Sequence, residues 1–357
     1  MKLLNQTRVW VDFFNNYKGR FQEYLDGRDL RTIVREKYQE AIIWMQEMKN
    51  KLQHLRQTNY DLGMWHYNNG NLQDAILRFK MLRRFSKIGM PELDYLLGRC
   101  YLERNQKTKA IQWLEQYIRS GDDRYRSEAD YCLKVAQGHS EQIKQIPLSI
   151  VDRLFNLLAE KYDSIFLQAP DLPQDEVYKI IVSHFAATGH PYGNRILDLG
   201  CGTGYIAKML KNSKIAFAIE GVDISSKMIT MCKELKIEGM PCYDNLFHTD
   251  IDTFLQGDHS GKFDVVITSY LLGFYSNAEL FCKLVSDALK KKGVVVLTFK
   301  TTTTNEDMVF DTFLEEFSFN SQKLAKLFQD NGLQIKYAKE VVFPDKDPGL
   351  VWLLMKE

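Results

Sequence analysis

Several features that would assign this 357-residue chain to a large protein class are missing from it. Its six cysteines, Cys100, Cys132, Cys201, Cys232, Cys242 and Cys282, show no paired ligand spacing, so neither a zinc site nor a disulfide framework is expected. No apolar run approaches the roughly 20 residues that cross a bilayer. The first residues, Met1-Lys-Leu-Leu-Asn-Gln-Thr-Arg, are too polar for a secretion signal. The expectation is therefore a cytoplasmic protein without a membrane partner. A dense Lys/Arg tract is also missing, and with a net charge of +1 no nucleic-acid partner is expected.

What is present is an ordinary globular composition, 45% hydrophobic and 26% charged, over about twice the usual single-domain length. Charge is unevenly divided: residues 1–150 carry 25 Lys and Arg against 18 Asp and Glu, a balance of +7, and the remainder carries −6. A polar stretch from Ala136 to Ile150, containing Gly138 and Pro147, separates two regimes of patterning. The expected domains are a helical one over residues 1–140 and an α/β one over 141–357.

In the second regime an apolar strand, Arg195-Ile-Leu-Asp-Leu, runs into Gly200-Cys-Gly-Thr-Gly204 and then into a helix. Glycines supply positive φ angles and lack a Cβ, so such a loop lets backbone approach a ligand beside a helix N-terminus. The dinucleotide fingerprint needs its third glycine one place later, where this chain has Tyr205, so a pyrophosphate cradle is disfavoured. The run Asp198 to Gly204 resembles instead the first motif of class I S-adenosylmethionine (SAM) dependent methyltransferases. The resemblance continues in order. A buried strand ends in Asp223, a segment Leu246-Phe-His-Thr-Asp250-Ile251 follows, and a further strand from Phe263 leads into Ser269-Tyr-Leu-Leu.

For the fold, the resemblance implies a Rossmann-like class I methyltransferase, a seven-stranded, mostly parallel sheet with a C-terminal antiparallel strand. The last two runs, Leu333 to Tyr337 and Gly349 to Met355, read as its closing hairpin. For the cofactor it implies SAM, held by Tyr162, Asp198, Gly200, Cys201, Gly202 and Gly204 around the amino-acid end. Asp223 would chelate the two ribose hydroxyls and Asp250 would accept from the adenine amino group, with Ile224, Met228 and Ile251 also counted among the cofactor-binding residues. Ser269 and Tyr270 would border the transferable methyl. No metal is implied. Cys201 reads as a small side chain that fits its loop.

Residues 62–118 carry an internal echo. Leu62-Gly63, Gly70, Ala75 and Phe79 are followed by Leu97-Gly98, Tyr101, Ala110 and Leu114, with the two Leu-Gly pairs 35 residues apart. This resembles tetratricopeptide (TPR) repeats, which are helix pairs of about 34 residues; Leu82, Lys87 and Tyr117 depart from the usual pattern. Asp130 to Gln137 reads as a closing helix. Upstream, Val34, Tyr38, Ala41, Met45, Met48, Leu52 and Leu55 alternate four and three residues apart, a seam of period 3.5. Its expected partner is the segment Val9 to Leu25, ahead of a second copy of the chain, so monomer and homodimer both stay open. Lys80, Arg83, Arg84 and Lys87 share one helical face, read first as solvated and second as a site for an acidic partner.

Helical repeats followed by a helix with Tyr162-Asp163 and then the SAM-binding fold resemble bacterial TPR-containing methyltransferases. The implied activity is methyl transfer to a protein or peptide recruited by the helical half, because stacked helix pairs offer an extended surface. The alternatives are a small-molecule or glycan acceptor, with the repeats serving assembly, and a SAM-binding adaptor without activity. The chain has no Asn/Asp-Pro-Pro-Tyr loop and no glutamate pair about Ser269, which disfavours DNA adenine and protein arginine methylation. A hydroxyl or ammonium acceptor needs a base. His248 and Tyr270, with Tyr275 nearby, are the residues expected at the sheet edge for that role.

Overall fold

The computed structural model describes residues 30–85, 90–168, 171–188, 194–215 and 218–357, so the segment Val9 to Leu25 and Lys87 lie outside the described residues. The chain divides into two compact units, residues 1–63 and 64–357. Helix α1 spans Leu30–Asn68, 39 residues, or about 58 Å at 1.5 Å per residue. The seam of Val34, Tyr38, Ala41, Met45, Met48, Leu52 and Leu55 lies along it, and each of these side chains is exposed.

Four helices follow: α2 (Leu72–Phe85), α3 (Pro91–Glu103), α4 (Lys107–Ser120) and α5 (Arg126–Gln137). The internal echo marks their core, since Ala75, Phe79, Leu97, Tyr101, Ala110 and Leu114 are all buried. Gly98 sits where α3 meets α4, and a Cβ there would lie 2.6 Å from Leu114 Cγ. On the basic face, Arg83 pairs with the buried carboxylate of Asp94 and lies 4.7 Å from the Trp113 ring centre, while Lys80 lies over Tyr101. That pairing ties α2 to α3, so Arg83 serves packing.

Gly121 and Gly138 end α4 and α5 in the left-handed conformation that favours glycine. After the polar stretch come α6 (Leu148–Leu158), α7 (Tyr162–Phe166) and α8 (Pro173–Thr188). The rest alternates strand and helix: β1 (Arg195–Leu199), α9 (Tyr205–Asn212), β2 (Ala218–Asp223), α10 (Ser226–Glu234), the small hairpin β3 (Lys236–Ile237) and β4 (Met240–Pro241), β5 (Asn245–His248), α11 (Ile251–Leu255), β6 (Phe263–Thr268), α12 (Ala278–Ala288) and β7 (Leu289–Lys300). A hairpin of β8 (Met308–Asp311) and β9 (Glu316–Phe319) precedes α13 (Ser321–Asp330), β10 (Leu333–Val342) and β11 (Pro348–Lys356).

Seven strands form one sheet in the order β10-β11-β7-β6-β1-β2-β5. The pairs β7-β6, β6-β1, β1-β2 and β2-β5 are parallel, and β11 runs antiparallel to both neighbours. The sheet is thus mostly parallel with an antiparallel C-terminal strand. Buried Ile196, Ile219, Val265, Val294 and Val351 face helices α8 and α9 in its core. Helix α12 stops at Ala288, where Leu289 pairs with Phe263 and Lys290 bonds Asp264, drawing the chain into β7. Between β10 and β11 the register shifts at Ile335/Tyr337, a bulge in the outermost strand.

Within the unit 64–357, helix α6 is fastened to the repeat helices. Arg153 Nε and Nη2 donate to both carboxylate oxygens of Glu103 at 3.0 and 2.9 Å, and its guanidinium stacks on Tyr67. Buried Arg99 donates to the same carboxylate at 3.0 Å, and Tyr131 donates to Glu315 at 2.8 Å.

Candidate active site

A cleft opens where the C-terminal ends of β1 and β6 lie side by side, the crevice such sheets use for ligands. Its floor is the glycine loop. Gly200, Gly202 and Gly204 adopt φ values of 69°, 54° and 83°, which L side chains rarely adopt. Gly200 and Cys201 N–H groups donate to Val222 O, pinning the loop to β2. A Cβ on Gly202 would meet nothing within 4 Å, so this glycine faces open space. Gly204 differs: a Cβ there would strike Leu235 at 2.8 Å and crowd Tyr243 and Cys232. It does not line the cleft, and its lack of a side chain lets the loop pack on α10. Expected to touch the cofactor, it is instead a packing residue.

Two adjoining hollows make up the cleft. One is lined by Tyr162, Gly200, Gly202, Asp223, Ile224, Met228, Asp250, Ile251, Ser269 and Tyr270, with Leu148, Val151, Phe155, Phe274 and Tyr275 forming an apolar roof. The other shares Tyr162, Gly200, Gly202 and Ser269 and adds Gln174, Asp198, Cys201 and Thr203. Every residue expected at the cofactor apart from Gly204 is therefore gathered here. His248 is not. Its Nε2 lies 2.9 Å from Ile224 O at the exposed end of β5, and it is not among the residues that line either hollow.

Asp223, at the end of β2, is held by two backbone donors: Gly202 N–H to Oδ2 at 2.9 Å and Ser225 N–H to Oδ1 at 2.8 Å. Each oxygen keeps lone-pair capacity toward the cleft. Burial nevertheless raises its pKa above the usual carboxylate range. Burial pushes Asp198 up to about 7, aided by the charge of Asp223 and opposed by the Tyr243 hydroxyl, which donates to its Oδ2 at 2.8 Å. Asp250 caps α11 by accepting from Thr253 N–H at 2.9 Å. Ser225 caps α10 and donates to Asn156 of α6, which also accepts from Lys227 N–H. The roof is thereby tied to the Asp223 side of the cleft. Thr203 donates to Asp163 at 2.7 Å, so α7 is tied to the loop.

Tyr270 adopts φ 67° and its N–H donates to Thr298 Oγ1 at 2.9 Å, which turns the ring across the end of β6. Its hydroxyl lies 3.5 Å from Glu316 Oε1. Burial, then the Glu316 charge, pushes the phenol far above its ordinary value, which favours its protonated form. Beneath it, Lys300 is almost wholly buried and bridges Glu316 at 2.8 Å, Asp347 at 3.1 Å and Asp345. Glu316, Lys300 and Gln174 escape sequence reasoning: each stands beside other polar residues, Glu315, Thr301 and Asp175 respectively, with no local spacing to single it out.

The residues present fit a cofactor with an adenosyl and a charged amino-acid end. Open-faced Gly202 leaves room for a close approach, buried Asp223 offers acceptors for paired hydroxyls, and the second hollow carries an acidic side chain and an orphaned amide oxygen on Gln174.

Residues 174–338 match the family described as methyltransferase domain. The chain is also similar to a protein of Geobacillus sp. (strain WCH70) named as a candidate methyltransferase, 30% identical over 168 residues that cover 44% of this chain and 64% of that relative. To demethylmenaquinone methyltransferase of Thermotoga maritima it is 26% identical over 151 residues, 41% of this chain and 59% of that one. The chain thus spans about three fifths of the length of these curated relatives. Among solved structures, magnesium protoporphyrin IX methyltransferase from Synechocystis PCC 6803 with bound SAH is similar at 19% identity and a TM-score of 0.45, over 59% of this chain and 99% of that one. Residues 174–338, just under half of the chain, are thus similar to a methyltransferase domain.

Proposed function

We propose that this chain transfers a methyl group from SAM to a protein or peptide acceptor engaged by its TPR-like helices. The observation that carries the transfer reading is the cleft itself: a left-handed glycine loop, Asp223 with free acceptor capacity, and an apolar roof that keeps water out. When bound, SAM supplies an electrophilic methyl on its sulfonium. Gly200 and Gly202 would give the backbone approach, Asp223 would hold the ribose hydroxyls, and Asp250 and Ile251 would flank the adenine. Leu148, Val151, Phe155 and Phe274 would exclude water around the acceptor, which favours methyl transfer to an aligned nucleophile. Tyr270, protonated, closes the acceptor side and orients the incoming group by its hydroxyl.

Support for a macromolecular acceptor comes from the helical half, whose α1 exposes a continuous apolar seam. The apolar roof favours a second reading, a small apolar acceptor. Incubating the full chain with radiolabelled SAM and fractionated lysate separates them. Label in acid-precipitable protein is the expected result, and label in organic-extractable metabolites would replace the first reading with the second. Absence of transfer with release of bound, unreacted SAM would leave the adaptor reading. Deleting residues 1–140 would be a poor test, because it removes Glu103 and Tyr67, on which Arg153 and hence the roof helix depend.

A further inference from the structure

We infer that Gln174 binds the amino-acid end of the cofactor, its Oε1 accepting an N–H from the α-ammonium group; this rests on the methyltransferase reading above. Gln174 is only 6% exposed and sits in the first turn of α8. Among the described residues no donor reaches its Oε1, although the atom is fully removed from solvent. An unpaired amide oxygen buried in this way destabilises the fold, so folding alone gives no reason to keep it.

Its neighbours on the helix are used differently. Asp175 accepts from the Tyr205 hydroxyl at 2.8 Å and Glu176 pairs with Lys339 at 2.6 Å. Both tie α8 to the body of the unit, and Gln174 between Pro173 and Asp175 turns into the hollow beside the glycine loop. There it shares the lining with Asp198, Cys201, Thr203 and Ser269, and no Lys or Arg takes part. A wall that presents an orphaned acceptor and a carboxylate, with no cationic side chain, suits a group that carries N–H donors and positive charge. Of the parts of SAM, the α-ammonium is that group.

The test compares two ligands by calorimetry on the full chain: S-adenosylhomocysteine, which has the amino-acid end, and 5′-methylthioadenosine, which lacks it. Gln174→Met is expected to weaken S-adenosylhomocysteine about tenfold or more, the usual loss for a bond to a charged group, and to leave methylthioadenosine unchanged. The apo melting temperature of Q174M should hold or rise, since an unpaired buried polar atom has gone. Gln174→Glu keeps an acceptor and should bind S-adenosylhomocysteine within about threefold of the original chain. Equal loss for both ligands, or no loss for either, overturns the assignment. So does a loss in Q174E as large as in Q174M, which would mean that the amide donates to the carboxylate instead. If the unaltered chain bound neither ligand, the methyltransferase reading itself would fall, which is a different outcome from any of these.

Discussion

Asp223 and Asp198 sit at the ends of adjacent hydrogen-bonding demands and predict different experiments. Removing Asp223 takes away two acceptors for ligand hydroxyls and frees two backbone donors, so Asp223→Ala should weaken SAM binding by about 1.5–3 kcal/mol in a calorimetric titration. Asp198 predicts a pH effect. Its carboxyl titrates near 7 in the folded chain and near 3.9 when unfolded, so the folded state holds the extra proton between those values. Stability from this group accordingly declines as pH rises through that window, while attraction for a cationic ligand grows as the carboxyl ionises. SAM affinity should therefore increase from pH 6 to about 7.5 and then level, and Asp198→Asn should flatten the profile. At this scale the sequence was informative wherever several residues form a pattern, as in the glycine loop, Asp223 and Asp250. It was silent on Gln174 and Glu316, whose role comes only from what surrounds them after folding. His248 shows the reverse: its place in the chain pointed to the cleft, whereas in the fold its ring sits against Ile224 O.

Among the elements, the contact of α3 with α4 offers the sharpest energetic contrast. Alanine raises helix propensity over glycine by about 1 kcal/mol. At Gly98 the added methyl would stand 2.6 Å from Leu114 Cγ and 3.3 Å from Leu114 N, so overpacking of about 1–3 kcal/mol should outweigh that gain. Gly98→Ala should lower the melting temperature, and Leu114→Ala in the same chain should return part of the loss, a coupling that thermal unfolding of the double-mutant cycle would reveal. The main strands were legible because they are continuous apolar runs buried on both faces, and helix ends followed glycines and caps. The β8-β9 hairpin was not legible: its strands are four residues each, and Phe310 packs on Tyr131, whose hydroxyl donates to Glu315, only through long-range contacts.

Across the unit 64–357, the roof of the cleft and the repeat helices form one energetic system through Arg153 and Glu103. Both side chains are mostly buried, at 11% and 22% exposure, so Arg153→Met should cost about 2–3 kcal/mol, less than the 3–5 of a fully buried pair. It should also weaken SAM binding, because α6 carries Val151 and Phe155 over the ligand. Denaturant unfolding with and without saturating SAM would measure both effects, and an unchanged affinity would show the roof to be self-supporting. This coupling joins residues 50 positions apart and leaves no trace in local spacing, which is why the sequence pointed to separate halves. The strand order has its own consequence for life at high concentration. β10 closes one side of the sheet with a row of unshared backbone groups, which would invite a neighbouring molecule to continue the ladder. The bulge at Ile335/Tyr337 bends that row, and exposed Lys336 places a charge on it. The outermost strand thus guards its own chain against fibre-like stacking.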